Sequence, residues 1–315
     1  MAHGALAALA LLLTLAAPAA QAGVVASSRG LCESSQPMGA TLQDRRLRLV
    51  ARIRQELEAA GRPAALVARS GLDLERFGQR YSHAGISLRD SPNTPWSVRQ
   101  LYYACDEGQP RLFDQGLAGF LLAADDQPSA HVTLLLLPGT ESASLAAAAL
   151  DRQQALQLLA ARYSANAYAF STRYQNCNQW VAELLATAWG GLGEAPTRAQ
   201  AQAWLHERGY EPHRFEGSRW LYALSVFVPL LHHDDHPDED RTAAVFRVSM
   251  PVSLETFVQR QVPGTERIEL CHDHRHIVVR RGWRPLGAGC EGDANDLTIP
   301  FEPAAAPAAV AAVRP

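Results

Sequence analysis

The chain contains no lysine; all 29 of its basic residues are arginine. That absence excludes a lysine general base, a Schiff-base lysine and the lysine of a phosphate-binding loop. A Gly-rich phosphate loop and a Gly-x-Ser-x-Gly elbow are missing too, so nucleotide-binding and serine-hydrolase readings have no support, and no cofactor is expected. The net charge of −3 gives no electrostatic case for a nucleic-acid partner. Beyond the first twenty or so residues no apolar run comes near the roughly 20 needed to cross a bilayer; Val132 to Leu137 is far too short. The mature chain is therefore expected to carry no transmembrane segment.

What is present begins with Met1-Ala2-His3-Gly4, an almost unbroken apolar run from Ala5 to Ala20, and the small-residue triplet Ala20-Gln21-Ala22. This pattern predicts a secretory signal peptide over 1–22, a mature chain starting at Gly23, and a periplasmic or secreted location. Five cysteines in an exported chain leave one unpaired. Cys271 and Cys290 flank an expected hairpin, Cys32 and Cys105 form the remaining structural pair, and Cys177 is then free. On counting alone, a chain with all five reduced or loosely oxidised stays open.

Periodicity predicts an α+β protein. After a poorly patterned stretch over 23–40 comes a helix with Thr41 and Asp44 as a capping box, apolar residues at Leu47, Val50, Ile53 and Leu57, and a stop at Gly61 and Pro63. Strands are expected over Ala64 to Ala68, Tyr81 to Leu88, Trp96 to Ala104 and His131 to Leu137. Helices are expected over Ser144 to Tyr163, Cys177 to Trp189 and Thr197 to Arg208. Strands follow over Ala243 to Val248 and Arg267 to Val279, and a Pro/Ala tail over 303–315 reads as disordered.

Two distant words read as halves of one thiol site: Ser82-His83-Ala84-Gly85-Ile86 on a strand, and Asn176-Cys177-Asn178-Gln179-Trp180 opening a helix. Cys177, Val181, Leu184 and Leu185 share a helical face, so the thiol points inward at the helix N-terminus, where unpaired backbone N–H groups stabilise a thiolate and later an oxyanion. A small buried hydrophobe would occupy the same place, but Asn176, Asn178 and Gln179 crowd polar groups where a structural cysteine needs none. His83 is the expected base, facing the same side as Gly85 and Ser87, with Gly85 admitting a close approach. Gln100, on the next strand, is the expected orienter of the imidazole; a solvent-facing strand residue is its alternative.

A second dense cluster, His232-His233-Asp234-Asp235-His236-Pro237-Asp238-Glu239-Asp240, supplies metal-ligand types, with His232, His233, Asp235 and His236 the candidates. Its ligands lack regular spacing, so a solvated acidic loop is the favoured reading and no metal is expected. His272, His274 and His276 would share a face on a straight strand; a turn near Asp273 is favoured instead.

The order of the two words, histidine strand before cysteine helix, resembles the circularly permuted NlpC-type branch of the papain-like cysteine peptidases. Three further words, Ala104-Cys105-Asp106-Glu107-Gly108, Ser171 through Val181, and Ala201-Gln202-Ala203-Trp204 through Tyr210, resemble a bacterial family of unknown function over about Ala40 to Cys290. The resemblance implies a permuted papain-like domain over 41–210, helices packed on an antiparallel sheet, with a β-containing region over 211–302 packed on it. It implies an exported thiol hydrolase or acyltransferase, a cysteine peptidase or amidase acting on an amide or ester, with a cell-wall peptide or a lipid-linked molecule as substrate class. Many NlpC-type enzymes place a second histidine where this chain has Gln100. A catalytically silent binding or envelope-assembly protein of the same fold is the competing expectation.

Overall fold

The computed structural model describes residues 38–72, 74–122, 129–217, 228, 230–287 and 289–301, all within the compact unit spanning 34–315. The expected signal peptide, Cys32 and the Pro/Ala tail over 303–315 lie outside the described residues. Among those described, eight helices and ten strands run in the order α1 (Ala40–Ala60), β1 (Ala64–Arg69), β2 (His83–Leu88), β3 (Ser97–Ala104), β4 (Gln109–Gln115), α2 (Leu117–Leu122), β5 (Ala130–Leu136), α3 (Gly139–Leu150) and α4 (Arg152–Gln157). They continue as α5 (Cys177–Trp189), α6 (Arg198–Glu207), β6 (His213–Glu216), α7 (Asp238–Ala243), β7 (Val245–Val248), α8 (Pro251–Gln261), β8 (Glu266–His272), β9 (His276–Arg281) and β10 (Leu297–Pro300).

Eight strands form one antiparallel sheet in the order β10-β9-β8-β5-β1-β2-β3-β4, and β6 pairs with β7 in a small ribbon. Strand alternation sends Ala64, Leu66, Ala68, Ala84, Ile86, Leu88, Leu101 and Leu135 to one face, under α3, α5, α6 and α8. Ala65, Val67, Val98, Val132, Leu134 and Ile268 face the other side, under α1 and α2. Both faces being covered explains why β1 and β5 read as continuous apolar runs rather than alternating ones. Strands β8, β9 and β10 extend the same sheet, because β8 pairs with β5 along its length, from Ala130↔His272 to Leu136↔Glu266. Cys271 and Cys290 are disulfide-bonded, Cys105 is disulfide-bonded, and Cys177 is a free thiol.

Several elements depart from expectation for local reasons. No side chain caps α1: Gly39 precedes it and Asp44 pairs with Arg48 at 2.9 Å instead. Its buried stripe is Arg46, Leu49, Ile53, Glu56 and Leu57, which leaves Leu47 exposed, and Gly61, in the left-handed region, ends it. The alanine-rich run expected as one helix over Ser144 to Tyr163 breaks at Asp151, which turns extended and caps α4 by accepting the Gln154 N–H at 3.0 Å. Residues 158–163 are not helical. Asp238 to Ala243, whose first residues were expected in an acidic loop, is a short helix, its acidic first turn favoured by the helix dipole, and the strand expected from Ala243 begins at Val245. The run Arg267 to Val279 folds back at Asp273, whose Oδ1 accepts from the Arg275 and His276 N–H groups, so the favoured turn is present.

Candidate functional site

The site is built around the start of α5. Asn176 is extended and its Oδ1 accepts the Gln179 N–H at 2.7 Å, a regular N-cap. The polar side chains around the cysteine bolt this helix end down: Asn176 Nδ2 donates to the Ala165 and Ser249 carbonyls, and Gln179 Nε2 to those of Tyr168, Ala169 and Ser171. Asn178 Nδ2 donates to the Ser82 carbonyl at 3.2 Å, tying the helix to the residue before His83. The polar crowding therefore has a positioning role of its own.

Beneath, a buried carboxylate holds the approach loop. Glu183, two turns along α5, accepts from Arg198 Nε at 2.8 Å, Gln175 Nε2 at 2.6 Å and Gln202 Nε2 at 2.7 Å. Arg198 donates onward to the Thr172 and Tyr174 carbonyls. A buried charge is tolerated only when so paired. Sequence reasoning missed this hub because its members are separated in the chain; the one local signal was an acid within the apolar run of α5.

Cys177 is buried, and the N–H groups of Asn178, Cys177 and Ala84 interact with its sulfur. Ala84 can take part because regular β2–β3 pairing runs only from Leu88↔Ser97 to Ile86↔Arg99. The Arg89 N–H donates to the Pro63 carbonyl, which sets the antiparallel phase so that odd residues of β2 bond β1 and the Ala84 N–H points toward β3. With no rung there, it meets the thiol. Burial nevertheless outweighs these donors and pushes the thiol up to about 11, opposite to the direction expected of an activated cysteine.

His83 and Gln100 come together: the imidazole Nε2 is hydrogen-bonded to Gln100 Oε1, and Gln100 Nε2 donates to Gln115 Oε1 on β4 at 2.7 Å. Alternation puts the imidazole on the Gly85 side of β2, where it meets the rings of Tyr102 at 5.7 Å and Phe120 at 5.8 Å, while neighbouring Ala84 faces the core that holds Cys177. Among the described residues no hydrogen bond joins thiol to imidazole. Burial first, and then the Arg69 guanidinium, lower His83 to about 3, against the bond from Gln100. Arg69, directly opposite His83 in the β1–β2 ladder, also favours the thiolate of Cys177, so one charge bears on both groups. Gly85 is required where it lies: a Cβ would sit 2.6 Å from Val98 Cγ1 and 3.0 Å from the Arg99 carbonyl.

The metal candidates do not converge. His232 stacks on Tyr174 at 4.3 Å, His233 lies against Phe246 at 5.2 Å, and His236 Nε2 meets the Asn166 carbonyl at 2.8 Å. Asp235 Oδ2 accepts the Tyr168 N–H at 2.9 Å, and its side chain and that of His236 are buried, so the segment packs on residues 164–174 rather than standing as a solvated loop. No group of three or more His, Cys, Asp or Glu among the described residues is arranged to hold a metal, and none of the described helices is long and apolar enough to cross a membrane.

Residues 56–258, which include β2, α5 and the Glu183 hub, match the family described as an uncharacterised protein conserved in bacteria, DUF2145, and the chain belongs to it. No curated protein and no solved structure matches the chain.

Proposed function

We propose that this protein is an exported thiol hydrolase or acyltransferase of permuted papain-like ancestry, in which Cys177 attacks the carbonyl of an amide or ester. One observation carries the reading: the free thiol lies at a capped helix N-terminus, where the backbone N–H groups of Asn178 and Ala84 favour its thiolate, while the other described cysteines are disulfide-bonded. His83 takes the thiol proton as the Cys177 Sγ–C bond forms, and the N–H groups of Asn178 and Ala84 receive the oxyanion. The imidazolium then protonates the departing amine or alcohol, and water or an acceptor cleaves the thioester, with Gln100 orienting the imidazole. At rest the imidazole is bonded to Gln100 on the Phe120 side of β2, so this reading requires substrate entry to bring thiol and imidazole together. The order of the two motifs supports a cell-wall peptide or lipid-linked molecule as substrate class.

The placement of His83 on the Phe120 side of β2, together with the raised thiol, favours the second reading, a catalytically silent binding or envelope-assembly protein. Intact-mass measurement after exposure to an activated acyl ester separates them. The hydrolase reading expects a thioester on Cys177, absent in Cys177→Ser and slowed at least tenfold in His83→Ala. Equal labelling of wild type and His83→Ala, or none at all, overturns it.

A further inference from the structure

At the opposite end of the sheet from Cys177, a pocket of about 330 Å³ opens between the middle of α1, the end of β9 and the start of β10. Its wall carries four arginines, Arg52, Arg280, Arg281 and Arg284. Three carboxylates stand among them. Glu56 pairs with Arg52 and with Arg281, Asp293 with Arg280 and Arg284, and Asp296 with Arg280. Four guanidinium groups against three carboxylates leave one positive charge. The four arginines are unequally committed. Arg280 is 7 % exposed and spent on Asp296, Asp293 and the Pro285 carbonyl, so it is structural. Arg281 and Arg284 are 61 % and 67 % exposed, and their ion pairs each use Nη2. A guanidinium carries five N–H donors in a planar fork, so both retain donors directed to solvent. Arg52 is held by Gln55 Oε1 at 3.3 Å and by Glu56, so it frames the pocket and the available donors are those of Arg281 and Arg284.

We propose that this pocket binds a phosphate group. The residual positive charge sets the sign of the ligand, and the forked donors that Arg281 and Arg284 retain suit a tetrahedral oxyanion. The volume lies at the low end of small-molecule sites, enough for a phosphate ester but not for a large ligand. The proposal stands apart from the thiol chemistry. The phosphate can belong to a small molecule or to a lipid headgroup.

The test uses the full mature chain, with thermal melting followed against inorganic phosphate and glycerol phosphate at an ionic strength held constant with chloride. Saturable stabilisation is expected, weakened about tenfold or more in Arg281→Gln/Arg284→Gln, since one charge-assisted bond corresponds to roughly that factor. Arg281 and Arg284 each pair with a carboxylate, so every variant is referred to its own melting temperature in chloride, and the single variants Arg281→Gln and Arg284→Gln read the two forks separately. Co-sedimentation with phosphatidylglycerol vesicles against phosphatidylcholine vesicles separates the sources: vesicle binding lost in the double variant assigns a lipid headgroup, and saturable binding of the soluble phosphates alone assigns a small molecule. Stabilisation no greater than chloride gives, with no vesicle binding, or equal binding by wild type and the double variant, overturns the proposal.

Discussion

Protonation at single side chains decides how this protein should respond to acid. His83 is lowered to about 3 and His131 to about 4, each by burial first and then by a nearby arginine, Arg69 and Arg80 respectively. In the unfolded chain both titrate near 6.5. Between those limits the unfolded state binds more protons, so stability is full above about pH 6.5 and falls as the pH drops toward 3. Each such histidine contributes a slope of up to about 1.4 kcal/mol per pH unit. Urea unfolding of wild type and His83→Gln across this range should show a shallower acid limb in the variant; superimposable limbs would mean the imidazole is not held neutral. Cys177 has the opposite sign. Its thiol is raised to about 11, so its contribution is complete below the ordinary thiol range and is lost as the pH climbs through 11, and iodoacetamide should label it slowly at neutral pH. Rapid labelling at pH 7 of a protein still fully folded would contradict the buried, neutral thiol.

Among the elements, α5 was the most legible and its surroundings the least. Asn176 and Gly190 bracket a strongly apolar helix, so the limits Cys177 and Trp189 follow from caps alone. The split of the alanine-rich run at Asp151 was hidden because alanine sustains either a long helix or two short ones, and only the cap decides. α8 was not among the expected helices; Pro251 is its first helical residue, where the missing N–H costs nothing. At the site, the residues of the thiol word and of the histidine strand were visible as words. The Glu183 hub and Arg69 were not, because their partners are set by helix packing and by strand register. Asn176→Ala removes the cap and two tethers to carbonyls, and should cost about 1 to 3 kcal/mol in chemical unfolding. Glu183→Gln keeps the shape but leaves Arg198 buried without its counter-charge, and should cost about 3 kcal/mol or more; a loss below about 1 kcal/mol would show that the hub does not hold the approach loop.

For the whole molecule, the disulfide Cys271–Cys290 closes a short loop beside the β8–β9 hairpin, with a sequence separation of 19. Replacing both cysteines by alanine should lower stability by about 3 kcal/mol, read as a lower denaturation midpoint, with a slope that rises because the unfolded chain without the cross-link exposes more surface. The thiol site lies at the β2–β3 end of the sheet, and its protonation behaviour should be unaffected by that change.

The pairing of β8 with β5 also governs how the chain is made. Everything between Leu136 and Glu266 must be synthesised before the middle of the sheet can close, and until then β5 offers an open row of amide and carbonyl groups on a strand of Val, Thr and Leu. A nascent chain therefore passes through a stage in which this apolar strand is bare, a state prone to joining with a second copy. A chain ending near residue 210 would be fixed in that stage, and should accumulate as aggregate when the full-length protein is soluble.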